Sequence, residues 1–189
     1  MKKHFILYAA AALLCLSLPV HADWITAQPS DLTVQGGTAS ARLALTGTQS
    51  VRAALPSAEG SVMSLSFFSK DQNQPELQLD KIPLLPTPVN HVTSTHFSIT
   101  PIIDSGNGQR YYLVQTGVPG GCLIIAYGNG SFQQVFSATS IPGNWAKAEV
   151  APQKKNLLLT LTSEEGTVSH YQLAWDKKAN IFQATVLQS

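Results

Sequence analysis

Apolar residues recur at every second position in short runs along most of this chain, and Gly, Pro, Asn and Asp bound the runs. A period of two puts alternate side chains on opposite faces of a strand, so the pattern predicts β-structure almost throughout. Ala39, Ala41, Leu43 and Leu45 alternate with Thr38, Ser40, Arg42 and Thr46 until Gly47 interrupts. Val51, Ala53 and Leu55 repeat the pattern, as do Met63, Leu65 and Phe67, and Leu77 with Leu79 forms a shorter copy. Further strands are predicted around 95–103, 110–116, 122–127, 131–138, 156–163, 168–175 and 181–187. Residues 146–150 are the one place where a helical turn is expected.

The segments between these later strands, 104–108, 117–121, 128–130, 142–144, 164–167 and 176–180, are rich in Gly and Asn. Both residues reach positive φ at low cost, as tight hairpins demand. Consecutive hairpins make an antiparallel meander, so the predicted fold class is all-β, a sandwich or small barrel. Propeller blades would repeat a motif every 40 to 45 residues or so, and none is visible. A membrane-inserted barrel calls for runs of about ten alternating residues with aromatic girdles, whereas these runs are shorter. Aromatics make up only 8% of the chain, too few for such girdles. Pro83, Pro86 and Pro88 exclude a central strand over 82–90, the best internal boundary, although a crossover inside one domain fits better than a linker.

The N-terminus has a separate logic. Lys2, Lys3 and His4 precede an apolar run from Phe5 to Leu18, and Val20 and Ala22 stand three and one positions before a cut after Ala22. This pattern predicts a secretory signal peptide over 1–22 and a single domain over 23–189. The run falls short of the roughly 18 to 20 apolar residues a membrane-spanning helix needs, so no stable membrane insertion is expected. Cys15 follows Leu14 rather than a small residue and is expected to leave with the leader. The destination is then periplasmic or extracellular, where oxidants join thiols, but Cys122 alone would remain and no intrachain disulfide could form. Twelve Lys and Arg balance eleven Asp and Glu in 189 residues, which gives no basic footprint for nucleic acid.

Candidate chemistry is sparse. Cys122 opens an apolar run after Gly120 and Gly121, which suits a small buried hydrophobe better than a loop-presented nucleophile. Strand alternation turns His96 and His170 toward solvent, and the five-residue offset of His91 and His96 matches no zinc-pair spacing. Asp104 to Gly108 lacks the ligand spacing of a calcium loop and reads as a hairpin turn, and Glu164 and Glu165 read as solvated turn residues. No G-x-S-x-G, S-x-x-K, H-E-x-x-H or phosphate-loop motif is present. No cofactor, metal or catalytic residue is assigned.

Aromatic placement is the remaining signal. Tyr111 and Tyr112 are adjacent in one strand and must point to opposite faces, so one is expected to be available for contact. Phe132 and Phe136 share a parity and should pack inward together, whereas Trp145 after Pro142, Gly143 and Asn144 could crown a loop. Tyr111, Tyr112, Pro119 and Trp145, with the loop 117–121, are the candidate binding residues, because rigid amphipathic rings anchor recognition surfaces. The expected function is non-catalytic recognition of another exported protein or cell-envelope component, such as an inhibitor or immunity-type protein. Two rivals are an exported hydrolase using Cys122 or a Ser with His96 or His170, and a structural subunit of a surface assembly that recruits a chain at an apolar edge strand.

Overall fold

The computed structural model describes residues 24–26, 30–35, 40–45, 47–54, 62–69, 73–84, 94–106, 108–153 and 156–187. The proposed leader with Cys15 lies outside the described residues, as do Ala39, Leu55, His91 and most of the proline-rich segment. Among the described residues fourteen strands follow one another: β1 (Trp24–Thr26), β2 (Ser30–Gln35), β3 (Ser40–Ala44), β4 (Ser50–Ala54), β5 (Val62–Phe68), β6 (Leu77–Pro83) and β7 (Ser94–Asp104), then β8 (Arg110–Gln115), β9 (Cys122–Gly128), β10 (Ser131–Ser137), β11 (Trp145–Gln153), β12 (Asn156–Ser163), β13 (Val168–Asp176) and β14 (Ile181–Val186). Two single 3-10 turns, Pro119–Gly121 and Ala138–Ser140, are the helical elements among the described residues.

The chain is all-β, and every described pairing is antiparallel. Three sheets form. The first runs β3-β4-β5-β6 and the third β11-β12-β13-β14, both plain meanders. The central sheet adds β8, β9 and β10 to β7, whose other edge carries β2 beside its first half and β1 beside its second.

The central sheet lies between the other two. Val51, Met63, Leu65 and Phe67 of the first sheet pack with Ile99, Tyr112, Val114 and Ile125 of the central one. Tyr111, Leu113, Cys122 and Ile124 point the other way and pack with Val150, Leu157, Leu159, Leu161 and Leu173 of the third. The central sheet is therefore covered on both faces, which is why β8 and β9 are apolar at successive positions instead of alternating. Each buried aliphatic or aromatic side chain contributes about 1.5–3 kcal/mol.

Two sequence expectations give way. Residues 146–150 lie inside β11: Ala148 and Val150 face the second core while Lys147 and Glu149 are exposed, and burial of that alternating face overrides the helical preference of Ala, Lys and Glu. Phe132 and Phe136 are both buried but on opposite faces, the first in core one and the second in core two. A register shift between Gln134 and Phe136 inserts an extra residue, and a bulge of that kind moves the following side chains to the other face.

Candidate functional site

Neither tyrosine reaches the surface, contrary to the expectation that one would, because both faces of their sheet are covered. Tyr112 enters core one, where its hydroxyl donates to the buried Gln49 Oε1. Tyr111 enters core two with its ring centroid 5.3 Å from that of Phe182 and 5.8 Å from that of Trp175. Burial, and secondarily the Asp104 carboxylate, pushes the Tyr111 hydroxyl up to about 12.

Trp145 is half-buried against core two and folds back on its own loop, its Nε1 donating to Pro142 O at 3.2 Å. Gly143 lies beneath the indole at φ 139°, and a Cβ there would come within 2.7 Å of the ring. Pro119 begins the 3-10 turn, which wedges between sheets. A Cβ on Gly120 would come within 2.5 Å of Pro83 Cγ, and one on Gly121 would overlap the Thr116 hydroxyl. Thr116 Oγ1 donates to Pro83 O at 2.8 Å, and Ala148 N donates to Gly117 O at 3.3 Å. The loop 117–121 thus joins β6, the end of β8 and β11, and its half-buried residues are engaged in that joint. The structure does not bring Tyr111, Tyr112, Pro119 and Trp145 together into one exposed patch.

The residues named for hydrolysis are also kept apart. Cys122 is buried in core two, and desolvation, with the Glu149 charge second, pushes its thiol up to about 12. A thiol with so high a pKa is protonated near neutrality and is a poor nucleophile. His170 is exposed on the far face of the third sheet, its Nδ1 3.2 Å from Thr160 Oγ1, so a full layer separates it from Cys122. His96 occupies β7 opposite Thr33 of β2; its imidazole is outside the described side chains. Asp104 closes the β7-β8 hairpin by accepting from Gly106 N at 2.8 Å, and Asp176 accepts from Lys178 N at 2.8 Å and Gln183 Nε2 at 2.7 Å. No three His, Cys, Asp or Glu residues converge among the described residues.

What the sequence reading overlooked is the contrast between sheet edges. An edge strand offers unpaired backbone groups to any passing chain, and folds blunt it with charge, Pro or bulges. In the first sheet β3 carries Arg42, while β6 carries Asp80, Lys81 at φ 58° and Pro83, with a register shift beside it. In the central sheet β2 carries Asp31, β1 is only three residues long, and β10 is bulged. In the third, β11 has Lys147, Glu149, Pro152 and a register shift near Trp145. β14 has none of these devices: six pairs with β13 run in unbroken register, and residues 181–187 contain no charge and no Pro. Ile181, Val186 and Leu187 are 38%, 60% and 42% exposed. A groove of about 480 Å³ lined by Leu158, Val168, His170, Val186 and Leu187 adjoins its end.

No family model, curated protein or solved structure matches the chain.

Proposed function

We propose that residues 1–22 are a cleaved signal peptide and that residues 23–189 act in the periplasm or outside the cell. Their role is non-catalytic recognition of another exported protein or envelope component. The open, charge-free edge of β14 carries this reading, because a strand so exposed can hydrogen-bond an extended segment through its backbone while alternate side chains select it. The contact surface is accordingly β14 with its adjoining groove, not the tyrosines. The three stacked layers act as a sandwich scaffold that holds this edge rigid.

Thr185 is exposed on β14, so Thr185→Lys should leave stability within about ±0.5 kcal/mol while blunting the edge. Capture of stoichiometric partners from exported material by residues 23–189, lost on Thr185→Lys, is the expected result. Undiminished capture by the variant removes the support for β14. The same edge favours a second reading, a structural subunit that recruits its neighbour by strand addition; there the captured partner would be an assembly protein. The hydrolase rival requires turnover that disappears in Cys122→Ala or His170→Ala.

A further inference from the structure

We propose that a cavity between the central and third sheets binds a single uncharged sugar ring through adjacent hydroxyls. The proposal goes beyond recognition at the β14 edge and does not rest on it. The two sites lie at opposite ends of β14: the groove adjoins Val186 and Leu187, whereas the cavity adjoins Asn180, which precedes Ile181.

The hollow comes from side-chain size along three paired strands. Tyr111 and Gln133 flank Ala126 as its cross-strand neighbours, on the face of the central sheet that meets core two. Toward the hairpin ends, Ser131 opens β10 opposite Gly128, and Gln109 approaches the same glycine from the β8 side. Residues opposite one another share a face, so β9 contributes only a methyl group and a hydrogen between longer neighbours. Ala126 and Gly128 thus floor a cavity of about 270 Å³, which the β13–β14 turn closes with Trp175 and Asn180.

The lining chemistry selects the ligand class. Gln109, Asn129, Gln133 and Asn180 each bring an amide, Ser131 adds a hydroxyl, and none of the described lining residues is charged. Asp176, Lys177 and Lys178 of the same turn line a separate hollow with Gln183 and Thr185. Asp104 acts on the Tyr111 hydroxyl without lining the cavity. An ion would find no counter-charge here, and an apolar ligand would strip water from amides it cannot hydrogen-bond. Left-handed backbone, at φ 53° and 56°, accounts for Asn at 129 and 180 but leaves the two glutamines unexplained.

Two of the amides are already set. Asn180 Nδ2 donates to Gln133 Oε1 at 3.1 Å, which leaves Gln133 Nε2 as a donor and Asn180 Oδ1 as an acceptor, held together by that bond. Adjacent hydroxyls match such a pair, one accepting and the other donating, because each hydroxyl can do both. Gln109 is fixed separately, its Nε2 donating to Tyr127 O at 2.6 Å. Trp175 supplies the amphipathic wall: its ring meets Tyr111 and Phe182 edge-on, at 5.8 and 5.1 Å between centroids, and remains half-buried. The C–H groups of a sugar ring pack on that surface while its hydroxyls reach the amides. The volume is just below the roughly 300 Å³ at which ordinary ligand pockets begin, so one ring is accommodated and not a chain of them.

Saturation-transfer NMR on residues 23–189 with glucose, galactose, mannose and N-acetylglucosamine, each at about 10 mM, reads the site. At least one sugar should bind with a dissociation constant of about a millimolar, as befits a ligand of so few atoms. Gln133→Ala and Asn180→Gly should each weaken that binding about tenfold. Thermal unfolding should be unchanged, since Gln133 is exposed and glycine keeps the left-handed turn. Absence of binding by all four sugars, or binding that survives both substitutions unchanged, overturns the proposal. Tighter binding of N-acetylglutamine amide than of any sugar also overturns it and marks the cavity as a pocket for a peptide side chain. Thr185→Lys should leave sugar binding intact, so failure of the sugar site and failure of recognition at β14 are read separately.

Discussion

Tyr112 brings a phenol hydroxyl into an otherwise apolar core, and Gln49 is there to receive it. Removing the hydroxyl in Tyr112→Phe leaves a buried amide oxygen short of a donor, a cost of about 1–3 kcal/mol in urea unfolding. No measurable loss would mean that the pair contributes nothing net. Gly143→Ala should also destabilise, since positive φ and the Trp145 ring both oppose a Cβ. Cys122 is expected to resist alkylation at pH 8 in the native protein and to react fully after unfolding, as counted by mass spectrometry. Rapid native labelling would contradict its burial. Alkaline behaviour follows from the same residues. Tyr111 and Cys122 both have folded pKa values raised to about 12, above their ordinary values of 10.0 and 9.0. Their stabilising contribution is intact below those ordinary values and is lost as pH climbs toward 12, because the unfolded chain ionises first. Stability should fall from about pH 9 upward, and Cys122→Ala should flatten part of that fall.

Element by element, the second half of the chain was readable because alternation, Gly and Asn turns and strand length agree there. β12 alternates Leu157, Leu159 and Leu161 inward with polar partners outward, and the structure places all three leucines in core two. β11 was not readable as a strand since Ala146, Lys147, Ala148 and Glu149 are good helix formers, and only its pairing with β12 decides otherwise. β2 was not predicted although Leu32 and Val34 alternate with Asp31, Thr33 and Gln35, a period-two signal of only five residues. The Phe136 error came from a bulge, which no periodicity rule anticipates. The open edge was hidden for another reason: strand order determines which strands are edges, and sequence alone did not supply it. Once β14 is known to be last in its sheet, its lack of charge becomes meaningful. Thr185→Lys tests that meaning, with partner capture lost and thermal unfolding unchanged as the expected outcome.

For the whole molecule, the decisive feature is a central sheet shared by two cores. The continuous apolar runs Tyr111 to Val114 and Cys122 to Ala126 carried this information, since a strand covered on both faces need not alternate. Treating Tyr111 and Tyr112 as one buried and one exposed assumed a single core. Peeling away either outer sheet exposes one face of the central sheet, so unfolding is expected to be a single transition, coincident in far- and near-ultraviolet circular dichroism. Two separated transitions would show that the outer sheets melt independently. The functional account adds that this rigid stack meets its partner along one edge. Leu187 N donates to His170 O, and the alternation of an antiparallel ladder then turns the Ala184 and Val186 amides away from β13. Amide hydrogen exchange on residues 23–189, alone and with the captured partner, tests that claim most directly. Slowed exchange at Ala184 and Val186 on complex formation is expected, with the loop 117–121 unchanged; unchanged rates at both β14 amides, with protection appearing elsewhere, would contradict it.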